Sequence, residues 1–97
     1  MKPAFNELIH APNRLQICAL LLDLKEIEFS VIKQHLQVSD SVLSKHIKSL
    51  EDARYVSVTK RANGAGGRQR TWVALSTSGR QAFVAHVAAL RAIVGES

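Results

Sequence analysis

Two stretches of alternating apolar and polar residues, joined by a glycine-rich segment, constrain the fold of this chain more than any other feature. The first is YVSVTKR, residues 55–61, and the second is TWVALS, residues 71–76. Alternation at a period of two is typical of β-strands. The glycines of ANGAGG, residues 62–67, tolerate backbone angles that other residues avoid. The pattern therefore predicts a β-hairpin with a long, adaptable tip.

Helical patterns surround the hairpin and predict a chain that is mainly α. Ser39 is suited to cap a helix, and Asp40 in the first turn complements the helix dipole. We expect helices over about residues 2–10, 10–24, 29–36, 40–53 and 77–94, with a very short strand at residues 27–29. The spacing of apolar residues in the second helix predicts a buried face that consists of Leu15, Cys18, Ala19 and Leu22.

Two of the expected helices are short and are joined by Gln37 and Val38. This is a helix-turn-helix pattern, and the hairpin that follows it is a wing. The predicted fold class is α+β, mainly α: a winged helix-turn-helix with a β-hairpin wing and a C-terminal dimerisation helix. A length of 97 residues is most simply one domain, residues 1–97.

The positive charge of the chain is concentrated in one segment. The formal net charge is +5, and residues 1–39 and 81–97 each balance to zero, so the excess lies in residues 40–80. No acidic residue occurs between Asp52 and Glu96. A local field of this sign attracts polyanions such as nucleic acid. The alternative is a solvated basic surface that keeps the protein in solution.

The expected helix over about residues 40–53 has two chemically different sides. Leu43, Ile47 and Leu50 fall on one side and are expected to face the core. Serine is a mediocre helix former, so serines on the other side favour a functional role over an ordinary solvated surface. Serine and lysine there can donate to base edges or phosphates. The residues on this side are Ser41, Ser44, Lys45 and Lys48.

Arginines that follow the predicted hairpin tip are suited to contact a phosphate backbone. Arg68 and Arg70 alternate with Gln69, so both side chains can point the same way. An arginine can clamp a phosphate with two hydrogen bonds or enter a narrow minor groove. The alternative is a loop whose charges serve solubility. Because helix, hairpin and charge coincide, we expect the wing, about residues 61–71, to contact DNA.

Apolar residues of the last expected helix form a seam with heptad-like spacing. The seam could fill the chain's own core, but apolar patches commonly mark interfaces, and we expect a two-fold dimer. Residues of the first helix are expected to join it. The expected interface consists of Phe5, Leu8, Ile9, Phe83, Val87, Leu90 and Val94.

Three stretches, taken in order, carry a resemblance to a known family: IHAPNRLQICALL, VSDSVLSKHIKSLEDARYVSV and GRQRTWVALSTSGRQAF. The chain resembles winged helix-turn-helix transcriptional regulators of the MarR/ArsR-like group, in particular its small stand-alone DNA-binding proteins. The resemblance implies a homodimer that binds a pseudo-palindromic operator on double-stranded DNA, with residues 39–48 in the major groove and the wing on the backbone or minor groove. We expect a repressor. The residues expected to contact DNA are Ser39, Asp40, Ser41, Ser44, Lys45, Lys48, Lys60, Arg61, Arg68 and Arg70.

The sequence argues against an enzyme and against a metal or cofactor site. No set of acid, base and nucleophile is visible, and the glycine-rich segment does not match a nucleotide-binding loop. None of the four histidines has a metal-ligand spacing with cysteine or carboxylate. Cys18 falls in an apolar pattern that is typical of a buried thiol, although a redox switch stays open.

The remaining expectations concern location and partners. The longest apolar stretch, ICALLLDL, is too short to span a bilayer, and we expect a soluble, cytoplasmic protein without membrane contact. The alternative function is a winged-helix module for protein–protein or RNA interaction, which the serine and lysine surface disfavours. A small-molecule effector is unknown.

Overall fold

The computed structural model describes residues 5–62 and 67–95 as five helices and one three-stranded sheet. The helices are α1 (Glu7–His10), α2 (Pro12–Asp23), α3 (Phe29–Leu36), α4 (Asp40–Asp52) and α5 (Thr77–Ile93), and the strands are β1 (Ile27–Glu28), β2 (Val56–Ala62) and β3 (Gln69–Leu75). A mainly helical chain with a small antiparallel sheet confirms the predicted winged helix-turn-helix. Across the described residues, the helices are too short or too polar to cross a membrane.

Strand β3 is the centre of the sheet, with β1 on one side and β2 on the other, both antiparallel to it. Ile27 and Val58 both lie opposite Val73, so their side chains share the face that packs against the helices. Strands β2 and β3 pair along their whole described length and form the predicted wing. The centre of the expected wing tip, residues 63–66, lies outside the described residues.

Two residues expected at a dimer interface belong to the core of the chain itself. Ile9 is fully buried and Phe83 is 6% exposed, and both join the cluster that contains Leu43 and Leu50. A side chain with little or no accessible surface has little to offer a partner subunit. The expected interface is therefore corrected at these two positions, because the chain's own helices cover them.

The buried face of α2 differs from the expected one by a rotation about the helix axis. Ala19, expected inside, is exposed, and Leu15 and Leu22 are half-buried. Since α2 is apolar on nearly all sides, the spacing of its apolar residues does not fix which side faces inward. The fully buried residues are Ile17, Cys18 and Leu21.

The start of α5 is seated directly on the chain reversal that follows α4. Arg54 adopts the left-handed conformation with φ 64°, and its carbonyl oxygen accepts hydrogen bonds from Ser76 Oγ at 2.7 Å and Ser78 Oγ at 2.9 Å. Gly79 is buried here, and a Cβ at its position would lie 2.0 Å from the carbonyl oxygen of Tyr55. This close approach ties the end of α4 to the beginning of α5.

Replacing Gly79 with alanine tests this seating. The added methyl group would collide with the Tyr55 carbonyl, so we expect Gly79→Ala to lower the free energy of unfolding by about 1–3 kcal/mol or more. Urea unfolding followed by circular dichroism measures the loss. The control is Gln81→Ala, at an exposed position of the same helix, where the change should stay within about 0.5 kcal/mol. Equal stability of the two variants would contradict the seating.

A buried histidine joins α1 to α5. The imidazole of His86 is fully buried, its Nδ1 accepts the backbone N–H of Asn6 at 2.9 Å, and its Nε2 lies 3.2 Å from His10 Nδ1. The Asn6 side chain also caps α1, because its Oδ1 accepts the N–H of Ile9. Its Nδ2 donates to the Tyr55 hydroxyl at 2.9 Å. Because Nδ1 of His86 is an acceptor, the ring is neutral with its proton on Nε2. The docking of α1 therefore requires a neutral His86.

This arrangement predicts that stability falls in mild acid. Burial, and next the charge of His10, lower the pKa of His86 below its ordinary value of 6.5. The unfolded chain then binds the proton more readily than the folded chain. The stability that neutral His86 contributes is therefore complete above pH 6.5 and is lost as the pH falls below that value. We expect the free energy of unfolding, measured with urea, to be lower at pH 5.5 than at pH 7.5. This difference should be smaller in His86→Gln. The control is His35→Gln, at an exposed position, which should lose as much stability in acid as the wild type. The same loss in His86→Gln as in the wild type would contradict the role of neutral His86.

Candidate nucleic-acid interface

Two polar contacts fix the first turn of α4. Ser39 Oγ accepts the N–H of Val42 at 3.2 Å, which confirms Ser39 as the helix cap. The Asp40 carboxylate lies 2.6 Å from Lys33 Nζ of α3, so this ion pair closes the turn between the two helices. Asp40 was expected to contact DNA; in the structure its carboxylate joins α3 to α4.

The side of α4 that faces away from the core carries the residues predicted there. Ser41, Ser44, Lys45 and Lys48 are all exposed, because the helical spacing turns them away from the buried leucines and isoleucine of the same helix. Lys48 Nζ lies 3.5 Å from Asp52 one turn further on, an exposed pair that contributes at most about 1 kcal/mol. These four side chains are two short hydroxyls and two lysines, so the serines leave room for the helix to approach a groove while the lysines reach outward.

A cleft separates α4 from the wing, and it brings together three of the predicted residues. Lysines stand on both sides of it, and a lysine ammonium is a mobile point charge suited to a phosphate. One acid also borders the cleft and marks where an anionic strand would be repelled. The cleft is lined by Phe29, Ser44, Ile47, Lys48, Glu51, Val58, Lys60 and Thr71.

A second cleft adjoins the first along the half of β3 that is nearer the wing tip. Arg68, Gln69 and Arg70 line it from the wing, and Ser30 lines it from the first turn of α3. Phe29 and Thr71 border both clefts, so the two form one continuous surface. We call this surface, from Ser44 and Lys48 through Lys60 to Arg68, the basic face. Arg70 lines the second cleft too, but it pairs with Arg61 on the opposite face of the hairpin from Lys60 and Thr71.

Two of the predicted wing residues are engaged in ion pairs. Arg61 Nη2 lies 2.5 Å from Glu26 Oε1, and its guanidinium stands 4.6 Å from the centre of the Trp72 ring. Arg70 Nη1 lies 3.2 Å from Glu28 Oε1. By contrast, Lys45, Lys60 and Arg68 have no ion-pair partner within residues 5–62 and 67–95. The two acids, Glu26 and Glu28, lie around β1. In the sequence they belong to residues 1–39, whose charges balance to zero.

Sequence reasoning missed the exposed side of α3. Its polar residues border a shallow depression on the side of the helix-turn-helix where α3 and the turn meet. In helix-turn-helix proteins the first helix crosses the DNA backbone. Applied to the sequence, this rule predicts that polar side chains of α3 face DNA. The depression is lined by Ser30, Lys33, Gln34, Gln37 and Val38.

On its inner side, α4 is anchored to α2 by a histidine. Arg14 Nη1 lies 3.0 Å from His46 Nδ1, and Arg14 Nε donates to the carbonyl oxygen of Leu8. Burial, and next the charge of Arg14, lower the pKa of His46 from 6.5. His46 is therefore a structural residue of α4, since a neutral ring accepts the arginine.

Cys18 and the metal-ligating residue types offer no further site in the described parts of the chain. Burial raises the pKa of the Cys18 thiol to about 11, so the thiol stays protonated near neutral pH. Within those parts, no three histidine, cysteine or acidic side chains come close enough together to hold a metal ion.

The family of the chain follows from comparison with known proteins. Residues 13–94 match the family described as a winged helix DNA-binding domain. Uncharacterized protein MJ0432 from Methanocaldococcus jannaschii is 36% identical over 70 residues, which cover 72% of this chain and 74% of that protein.

Solved structures of other proteins share the fold. The transcriptional regulator homologue from Pyrococcus horikoshii OT3 superposes with a TM-score of 0.83 at 27% identity, over 92% of this chain and 86% of that one. HlyU from Vibrio cholerae N16961 superposes with a TM-score of 0.67 at 25% identity, over 90% and 84%. The chain belongs to the winged-helix DNA-binding family of transcriptional regulators, whose members are not enzymes.

Proposed function

We propose that this protein is a sequence-specific regulator that binds double-stranded DNA as a homodimer and represses transcription. The recognition helix α4 enters the major groove, and the wing contacts the backbone or the minor groove. The observation that carries the proposal is the basic face, on which serines and lysines of α4 adjoin lysine and arginine of the wing. Residues 1–97 act as one DNA-binding domain, in the cytoplasm where the operator lies.

The size and chemistry of α4 support a role in the major groove. Its 13 residues span about 20 Å, and the major groove admits one helix. Ser41, Ser44 and Lys45 lie in the first half of the helix, which is the part that reaches base edges in this motif. Serine hydroxyls both donate and accept, and lysine donates to guanine or to phosphate. We assign sequence reading to these residues.

The wing and the cleft supply contacts that do not depend on sequence. Lys60 and Arg68 are exposed, and neither has an ion-pair partner within the described residues. Cations of this kind displace counterions from the phosphate backbone, which gives affinity without base preference. The polar side of α3, with Ser30 and Gln34, extends these contacts along the backbone, while Lys33 is held by Asp40.

Exposed apolar side chains on the terminal helices support a homodimer. Phe5 is 43% exposed, Ile93 67% and Val94 72%, while Leu8, Val87 and Leu90 are half-buried. A second copy would cover these side chains and place two α4 helices about 34 Å apart, one turn of DNA. The proposed interface keeps Phe5, Leu8, Val87, Leu90 and Val94 of the predicted set and adds Ile93.

Selection from random duplex DNA tests the proposed function. We expect an enriched motif with two inverted half-sites whose centres are about 10 base pairs apart. The double variant Ser44→Ala/Lys45→Ala should change the motif. Lys60→Ala/Arg68→Ala should weaken binding to all duplexes alike and reduce the slope of log affinity against log salt by about 0.9 for each lost phosphate contact.

The matched control for the wing variants is Arg80→Ala, because the Arg80 guanidinium faces the Leu22 carbonyl of α2 at 3.4 Å and lines neither cleft. It should keep the motif and most of the affinity. Failure of the wild-type protein to enrich any duplex, or preference for single-stranded RNA, would contradict the proposal in favour of a protein or RNA module.

The dimer is tested by a charge at the end of α5. Val94 is 72% exposed in the single chain, so Val94→Glu should leave the fold intact but weaken self-association at least tenfold. Sedimentation at micromolar concentration measures the effect. The control is Val31→Glu, an exposed valine of α3, which should leave self-association unchanged. A wild-type protein that sediments as a monomer would contradict the homodimer.

A further inference from the structure

The outer face of the wing, on the side away from the core, places two arginines directly opposite each other. Arg61 of β2 pairs with Arg70 of β3 in the strand register. Like charges at opposed positions of a sheet repel, so the pair needs local compensation. Glu26 and Glu28, around β1, each take one of the two guanidinium groups.

The strand order explains how acids distant in sequence reach the wing. Because β3 lies between β1 and β2, Glu28 stands opposite Trp72 on the same outer face. The Arg61 side chain starts on β2, crosses above the Trp72 ring and ends at the Glu26 carboxylate on the far side of β3. Arg61 is thus held by a ring and a carboxylate, and the Glu28 carboxylate is one of the partners that hold Arg70.

The exposure of these pairs shows that a phosphate can compete for the arginines. The side chains of Arg61 and Arg70 are 47% and 48% exposed, so a phosphate can reach both guanidinium groups. The Arg61–Glu26 pair is exposed on both sides and contributes at most about 1 kcal/mol to stability, whereas Glu28 is only 17% exposed and holds Arg70 from a less solvated position. A phosphate that binds either arginine must displace its carboxylate, and the carboxylate then stands close to the DNA. This cost falls on the paired arginines and not on Arg68 or Lys60.

We propose that Glu26 and Glu28 set the DNA affinity of the wing by holding Arg61 and Arg70 in ion pairs that phosphate has to displace. The two acids are positioning residues: they act on DNA through the arginines. They reduce affinity for DNA of any sequence, so that discrimination depends on the base contacts of α4. This inference rests on the proposed function.

The test is a gain of binding. We expect Glu26→Gln/Glu28→Gln to bind a duplex of random sequence about tenfold more tightly than the wild type. The slope of log affinity against log salt should steepen by up to about 0.9 for each arginine released. Fluorescence anisotropy of a labelled duplex at several salt concentrations gives both quantities. An unfolded variant cannot produce this gain, so a folding defect does not imitate the expected result.

A double-mutant cycle separates the ion pairs from a simple change in net charge. In an Arg61→Gln/Arg70→Gln background, the same two glutamate replacements should give little or no gain. Glu7→Gln/Asp23→Asn removes two negative charges at exposed acids of α1 and α2, so it controls for the change in net charge and should change affinity little.

The failures are distinguishable. A wild-type protein that binds DNA, together with glutamate variants that show no gain or the same gain without the arginines, overturns this inference alone. A wild-type protein that binds no duplex overturns both this inference and the proposed function.

Discussion

Burial of one side of α4 is the constraint on which the rest of the structure depends. Leu43, Ile47 and Leu50 are at most 5% exposed, and full burial of each such side chain stabilises the fold by about 1.5–3 kcal/mol. Since these residues recur at spacings of four and three, their burial turns the serines and lysines of the same helix outward. Two contacts then fix the position of α4. At its start Asp40 pairs with Lys33, and just after its end the carbonyl of Tyr55 packs against Gly79.

Strand pairing redistributes the charge that the sequence shows in blocks. Residues 1–39 are neutral overall, yet their two acids nearest β1 end on the wing, because β3 carries β1 and β2 on opposite edges. The wing is therefore less positive on its outer face than the arginine content of its strands indicates. The cleft beside α4 holds Lys48 and Lys60 together with one acid, Glu51, and of these two lysines only Lys48 is paired with a described acid, Asp52.

The elements that the sequence predicts well are those with a clear period or a local cap. The hairpin, the helix-turn-helix and the Ser39 cap follow from short-range chemistry, and the structure confirms them. The errors concern long-range placement. Ile9 and Phe83 have the spacing of a buried face, but spacing does not tell whether the chain or a second copy covers it. The partners of Arg61 and Arg70 depend on strand order, which no local pattern contains.

The central claim is that one surface, the exposed side of α4 together with the wing, contacts DNA. Amide hydrogen exchange of the wild-type protein with and without a binding duplex tests it most directly. Slower exchange should appear in the first half of α4, in α3 and in the wing strands, while the inner segments of α2 keep their rates. Protection confined to α2 and α5, with α4 and the wing unchanged, would contradict the account.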